Sequence, residues 1–187
     1  MLIGFLDIPL DSFAECEYNV GMIKGQDIVV LMAHLDASCR QATYASLGRL
    51  LHLSASETFE AVRRLRQASL LDFRRIPVPS HVMEFLSHGI QYVFPPEIRK
   101  GKMAVGMPTG FAAPVARDSF AITGPVPVWE DLEGTAFGPV VSPVYPTVPQ
   151  AARGSRHLYD CLSLVEMLRW GRIRERVFAL RKFEEFA

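Results

Sequence analysis

The sequence predicts a mainly α-helical protein built from three successive parts. Apolar residues recur at helical spacing between residues 24 and 71 and again after residue 150, as in amphipathic helices. Between them, residues 94–149 hold ten of the 13 prolines, and proline interrupts helices and sheets alike. We therefore expect a three-helix module within residues 1–93, a Pro/Gly-rich irregular or extended segment packed on the fold at 94–149, and a helical region at 150–187.

Composition indicates a globular chain without membrane segments. Of 187 residues, 49% are hydrophobic and 21% charged, which is ordinary for such proteins. No apolar run approaches the roughly 18 residues needed to cross a bilayer, and the apolar start lacks the basic residues of a signal peptide. Cys16, Cys39 and Cys161 are too widely spaced for a disulfide framework or a zinc finger. We expect a cytoplasmic protein that has no contact with a membrane.

Charge is balanced over the chain but distributed unevenly. Residues 1–39 contain Lys24 as their one base and have a net charge of −5, whereas residues 40–102 contain ten basic and five acidic residues. Residues 103–187 contain nine of each. The positive charge therefore lies on the middle of the N-terminal module, where it would favour contact with phosphates.

Three helices are predicted in that module. The first begins near Lys24 or Gly25, and its buried stripe is Ile28, Leu31, Met32 and Leu35. The second follows an N-cap at Thr43 and buries Leu47, Leu50 and Leu51. Gly48 inside it, which costs helix stability, would be explained by a close helix–helix approach.

The third helix follows a turn at residues 52–54. Ser54 and Glu57 have the spacing of a capping box, so the helix should run over residues 55–68. Thr58, Val62 and Leu65 fit its inner face. The sequence places four polar side chains mostly outward: Arg63, Arg64, Arg66 and Gln67.

The rest of the chain predicts shorter elements. We expect one short strand at residues 71–76, a helix at 80–88 and a short strand at 92–94, with a possible edge strand inside residues 134–146. After residue 150 a strong apolar stripe predicts a helix that Gly171 bends or divides.

The helical pair is similar to a known DNA-binding module. The runs Thr43-Tyr44-Ala45-Ser46-Leu47-Gly48-Arg49, Leu53-Ser54-Ala55-Ser56-Glu57-Thr58 and Ala68-Ser69-Leu70-Leu71 resemble the winged helix-turn-helix of MarR-type bacterial transcription regulators, over about residues 24–76. Those regulators usually have Ala-Gly-Leu where this chain has Ala68-Ser69-Leu70. The single strand after Leu71 implies a reduced wing.

The resemblance implies that the third helix enters the major groove of double-stranded DNA. Ser54 and Ser56 would then bond phosphates or base edges, and Glu60 would accept a hydrogen bond from a cytosine amino group. Arg63 and Arg64 would contact phosphates or, as a second choice, guanine.

Residues outside the third helix would hold the DNA backbone in this scheme. Thr43 and Tyr44 begin the preceding helix, where amides favour phosphate. Arg74 and Arg75 lie where a wing would touch the flanking backbone. The implied function is a transcriptional regulator that binds DNA as a homodimer, because palindromic sites match two-fold proteins.

A protein-interaction module is the alternative, for example the regulatory partner in a bacterial toxin or defence pair. Glu57 and Glu60 would repel phosphates, and Phe59 is large for an outward position. We expect no enzymatic activity, no cofactor and no metal. Nucleotide-binding motifs are missing, His81 and His88 lack metal-pair spacing, and His157, Asp160 and Cys161 lie too close on one helix to form a catalytic set.

Overall fold

The computed structural model describes residues 22–96 and 98–186, and these are mainly helical. The acidic residues between 7 and 17, and Cys16 with them, lie outside the described residues. The elements in chain order are α1 (Gly25–Leu35), α2 (Ala37–Arg40), α3 (Tyr44–Leu51), α4 (Ala55–Gln67), α5 (Pro79–Glu84), α6 (Ile90–Val93), β1 (Ile98–Pro108), β2 (Val128–Glu130), β3 (Ala136–Val141), α7 (Val148–Gly154), α8 (Arg156–Trp170) and α9 (Ile173–Phe186).

The first three predicted helices are confirmed as α1, α3 and α4, and their ends have the expected caps. The Thr43 hydroxyl accepts a hydrogen bond from the Ser46 amide at 3.1 Å. At the start of α4 the Ser54 hydroxyl accepts from the Glu57 amide at 3.1 Å, and the Glu57 carboxylate accepts from the Ser54 amide at 2.8 Å. This reciprocal pair is the predicted capping box.

Helix α1 forms the centre of the core. Every residue from Asp27 to Leu35 is buried, because α4 packs on one side of α1 and α8 on another. One hydrophobic cluster contains residues from all three predicted parts, among them Leu65 of α4, Trp129 of β2 and Leu168 of α8. None of the helices in the described chain is long and apolar enough to cross a membrane.

The segment at 94–149 is more regular than predicted. Its three strands form a small mixed sheet in which β1 pairs antiparallel with both β2 and β3, while β2 and β3 meet in parallel at Val128 and Val140. The strand predicted inside residues 134–146 is confirmed as β3. Strand β1 was not predicted, because the many prolines of the segment as a whole indicated irregular chain. Residues 98–107 contain no proline, and they pair with strands that are distant in sequence.

Two predicted strands are wrong. Residues 71–76 contribute only an isolated antiparallel bridge between Leu71 and Pro77. Residues 90–93 are helical: α5 continues through a π-helical turn at Phe85–Gly89 into α6, so the helix predicted to end at residue 88 extends to Val93. Gly171 does divide the C-terminal helices, with α8 ending at Trp170 and α9 beginning at Ile173.

One buried histidine makes the stability of this core depend on pH. His34 is fully buried in α1, where its Nδ1 lies 2.8 Å from the Val30 carbonyl oxygen and its Nε2 has no hydrogen-bond partner among the residues that the structure describes. Burial lowers the pKa of the His34 imidazole, and the nearby cations Arg75 and Arg40 lower it further, against the bond to Val30. The neutral ring is therefore the form that the fold accommodates.

Stability should fall as pH falls below about 6.5, the pKa of histidine in an unfolded chain. The unfolded state then binds a proton that the folded state excludes, so the slope can reach about 1.4 kcal/mol per pH unit until the folded pKa is reached. Urea unfolding of the wild type and His34→Leu between pH 7.5 and 5 checks this. The stability of the wild type relative to His34→Leu should fall as pH falls. A difference that stays constant between pH 7.5 and 5 would contradict this prediction.

Candidate nucleic-acid interface

The turn between α3 and α4 is closed by a glycine and a left-handed residue. His52 has φ 55°, and the Leu53 amide donates to the Gly48 carbonyl at 2.8 Å, which is the bond pattern of a Schellman helix end. A Cβ at Gly48 would stand 2.6 Å from the Leu53 carbonyl oxygen. Gly48 is therefore required by the returning turn, and Thr58 Oγ1 of α4, at 3.0 Å from the same Cβ, adds the helix–helix approach expected from the sequence.

The end of α4 repeats this geometry with a serine. Ser69 has φ 58°, and the Leu70 amide donates to the Leu65 carbonyl at 2.9 Å. Ser69 thus adopts the left-handed conformation that favours glycine, at a strain of about 1 kcal/mol.

The outer face of α4 is formed by a small set of side chains. Ser56, Phe59, Arg63 and Gln67 are exposed, and Glu60 is partly exposed. Ser54 and Thr43 are also exposed, but their hydroxyls already accept the capping bonds. Each retains its hydroxyl proton, with which it can donate a hydrogen bond to a phosphate oxygen.

Arg64 does not belong to this face. Its side chain is 6% exposed, and its Nε and Nη2 donate to the two carboxylate oxygens of Asp27 at 2.7 and 2.6 Å. Asp27 is fully buried in α1 and also accepts the Lys24 amide. The expectation that Arg64 points outward as a phosphate ligand is therefore wrong: its guanidinium ties α4 to α1.

Glu60 and Arg63 are bound to each other. Arg63 donates through Nε and Nη2 to one carboxylate oxygen of Glu60, at 2.9 and 2.7 Å. Both side chains remain accessible, at 52% for Arg63 and 38% for Glu60. An exposed pair of this kind contributes little stability, so either group can exchange its partner for a ligand.

An aromatic stack joins the start of α3 to α4. The Phe59 ring lies edge-on to the Tyr44 ring, with centroids 5.4 Å apart and planes at 86°. The Arg75 guanidinium covers Tyr44 at 5.3 Å from the ring centroid, and Arg75 Nη1 donates to the Ala42 carbonyl at 2.9 Å. Arg75, predicted as a backbone contact, is thus engaged inside the protein.

The loop at residues 71–77 is held tightly against α4. The Asp72 carboxylate accepts the Arg74 and Ile76 amides at 2.8 and 2.7 Å. Arg66 donates to the carbonyls of Asp72 and Phe73. The Arg74 guanidinium lies over the exposed Phe73 ring, 5.1 Å from its centroid, and so remains at the surface.

The charge of this surface is positive. The exposed or partly exposed charged groups on α3, α4 and the 71–77 loop are Arg49, Arg63, Arg66, Arg74 and Arg75 against Glu57, Glu60 and Asp72. Arg49 has no acidic partner among the described residues.

The sequence alone did not reveal the buried pair of Arg64 and Asp27, because the two residues are 37 positions apart.

Cys161 and His157 lie close together on α8. Cys161 Sγ lies 3.5 Å from His157 Nε2, but the thiol is fully buried and burial raises its pKa, so a reactive thiolate is disfavoured. His157 Nε2 also lies 3.1 Å from the Met32 carbonyl. Over residues 22–96 and 98–186, no three histidine, cysteine or acidic side chains are grouped to hold a metal.

Comparisons with protein-family models, with curated proteins and with solved structures gave no significant match.

Proposed function

We propose that this protein binds double-stranded DNA through the outer face of α3 and α4 and regulates transcription in the cytoplasm. In this proposal α3, the turn and α4 act as a helix-turn-helix, the 71–77 loop acts as a reduced wing, and α4 enters the major groove. A homodimer would present two such faces to a palindromic site.

The observation that carries the proposal is the joint exposure of the α4 N-terminal half and of cations on the elements that precede and follow α4. Ser54 and Ser56 lie exposed at a capped helix end, where free amides favour anions. Arg49 in the last turn of α3 and Arg74 on the loop after α4 are exposed as well. These four side chains are all accessible without unfolding any part of the module.

The roles of the arginines follow from what each already binds. Arg49 and Arg74 are assigned to phosphates, because neither has an acidic partner in the described chain. Arg63 would leave Glu60 for a phosphate or a guanine edge, and Glu60 would then be free to accept from cytosine. Arg64 and Arg75 have structural roles within the protein. Thr43 would donate its hydroxyl proton to a phosphate of the DNA backbone.

Selection of duplexes from a random pool, followed by titration of the selected duplex, tests the proposal. The logarithm of the affinity should fall linearly with the logarithm of salt concentration, by about 0.9 per neutralised phosphate. The double variant Arg49→Ala/Arg74→Ala should reduce the slope by the amount that corresponds to about two phosphate contacts. It should also weaken binding to every duplex alike.

The matched control is Arg117→Ala, which removes an exposed arginine from the segment between β1 and β2. Its affinity and salt slope should equal those of the wild type. If no duplex is retained at low salt, or if Arg117→Ala weakens binding as much as the double variant does, the proposed DNA interface is refuted.

A second candidate function is docking of a protein partner on the same face. The exposed aromatics favour it: Phe59 is 47% exposed and Phe73 is 75% exposed, and aromatic anchors dominate protein interfaces. In that case the protein should co-purify with the product of a neighbouring gene. Phe59→Ala should then abolish capture, and the arginine variants should have little effect.

A further inference from the structure

Phe59 is the one large apolar side chain on the outer face of α4. It lies in the second turn of that helix and is 47% exposed, between Ser56 and Arg63 on a face that is otherwise polar. Its neighbours Ala55 and Ser56 are small and exposed. An aromatic ring in this position projects beyond them, so it would meet a bound molecule first.

The ring is held in place rather than loose. Its edge-to-face contact with Tyr44 lies at 5.4 Å, and Tyr44 is in turn covered by Arg75, which is anchored to the Ala42 carbonyl. Aromatic pairs of this geometry contribute about 0.5–1.5 kcal/mol beyond their buried area. Little conformational entropy is therefore lost when the exposed part of Phe59 is covered.

The exposed charges on the elements that form the stack indicate what covers Phe59. Arg49 on α3, Arg66 on α4 and Arg74 on the loop are all exposed. A surface with these cations suits a polyanion better than an apolar protein patch. Within a duplex, the apolar group offered to the major groove by a base edge is the C5 methyl of thymine. A fixed phenyl ring on a helix in that groove has this methyl as its matching contact.

We propose that Phe59 contacts a thymine C5 methyl in the major groove and makes the protein prefer duplexes with thymine at that position. The proposal rests on the proposed DNA binding and specifies its substrate. Tyr44 and Arg75 are positioning residues for it, because they orient the ring without reaching the base.

Uracil-substituted DNA tests this contact, because deoxyuridine differs from thymidine only in lacking the methyl. A duplex selected by the wild type is prepared with thymine or with uracil throughout. The wild type should bind the uracil duplex about fourfold more weakly for each methyl group that it buries. Phe59→Ala should bind the two duplexes equally, and Phe59→Leu should restore part of the preference.

Tyr92→Ala is the matched control, because it removes an exposed aromatic from α6, outside α3, α4 and the loop at residues 71–77. It should keep the wild-type ratio between the thymine and uracil duplexes. A wild type that binds both duplexes equally overturns the thymine contact while DNA binding stands. An unchanged ratio in Phe59→Ala overturns it as well. A wild type that binds neither duplex refutes the proposed function, and the thymine contact with it.

Discussion

Replacing Arg64 with methionine should lower the free energy of unfolding by about 3–5 kcal/mol, because the Asp27 carboxylate would be left buried without its counter-charge. Asp27 is fully buried and receives two hydrogen bonds from Arg64, at 2.7 and 2.6 Å. Its remaining bond, from the Lys24 amide at 2.9 Å, cannot compensate a charge in the core. Urea unfolding followed by circular dichroism measures the effect.

Two further variants separate the buried charge from the loss of the arginine itself. Arg63→Met removes the exposed neighbour, which pairs with Glu60 at 52% exposure, and should change stability by no more than about 0.5 kcal/mol. Asp27→Asn combined with Arg64→Met should be more stable than Arg64→Met alone, because the uncompensated charge is gone. Additive losses in the double variant would contradict this account.

The second large effect is expected at Glu166 of α8. Its carboxylate is fully buried and accepts from Arg169 at 2.8 Å, from Trp170 Nε1 at 3.0 Å and from the Val144 amide at 3.2 Å. Arg169 also donates to the carbonyls of Phe94 and Ser142. The pair thus fastens both ends of the 94–149 segment to α8.

Glu166→Leu should therefore destabilise the protein by about 3–5 kcal/mol, since Arg169 would remain buried as an unpaired cation. Limited proteolysis should also cut near residues 94 and 142 in this variant first. Glu185→Leu is the control: it removes an exposed acid on α9 that pairs with Lys182 and should be nearly neutral. Equal losses in the two variants would show that the buried pair has no special role.

Local sequence patterns predicted the helices α1, α3 and α4 well. Thr43, Ser54 and Glu57 mark helix starts through contacts that span three residues, so a linear sequence contains the whole signal. Gly48 also predicted a close helix–helix approach, although the nearest atom, the carbonyl oxygen of Leu53 in the turn, became known only from the structure.

The wrong prediction for Arg64 and the unpredicted strand β1 concern interactions between distant residues. Arg63 and Arg64 are adjacent arginines that the sequence alone does not distinguish. Only the position of Asp27 on α1 decides that Arg64 is buried and Arg63 exposed. The sheet of β1, β2 and β3 likewise depends on pairings between distant segments, such as Gly106 with Glu130. The aromatic stack of Phe59, Tyr44 and Arg75 combines three elements in the same way.

An NMR titration of the labelled protein with a selected duplex tests the central claim most directly, because each backbone amide reports on its own surroundings. We predict that the amides at the starts of α3 and α4, including Tyr44, Ser56 and Phe59, shift on binding together with Arg74. The amides of α9 should stay unchanged. Shifts confined to α8 and α9, with α4 unaffected, would contradict DNA binding through this face.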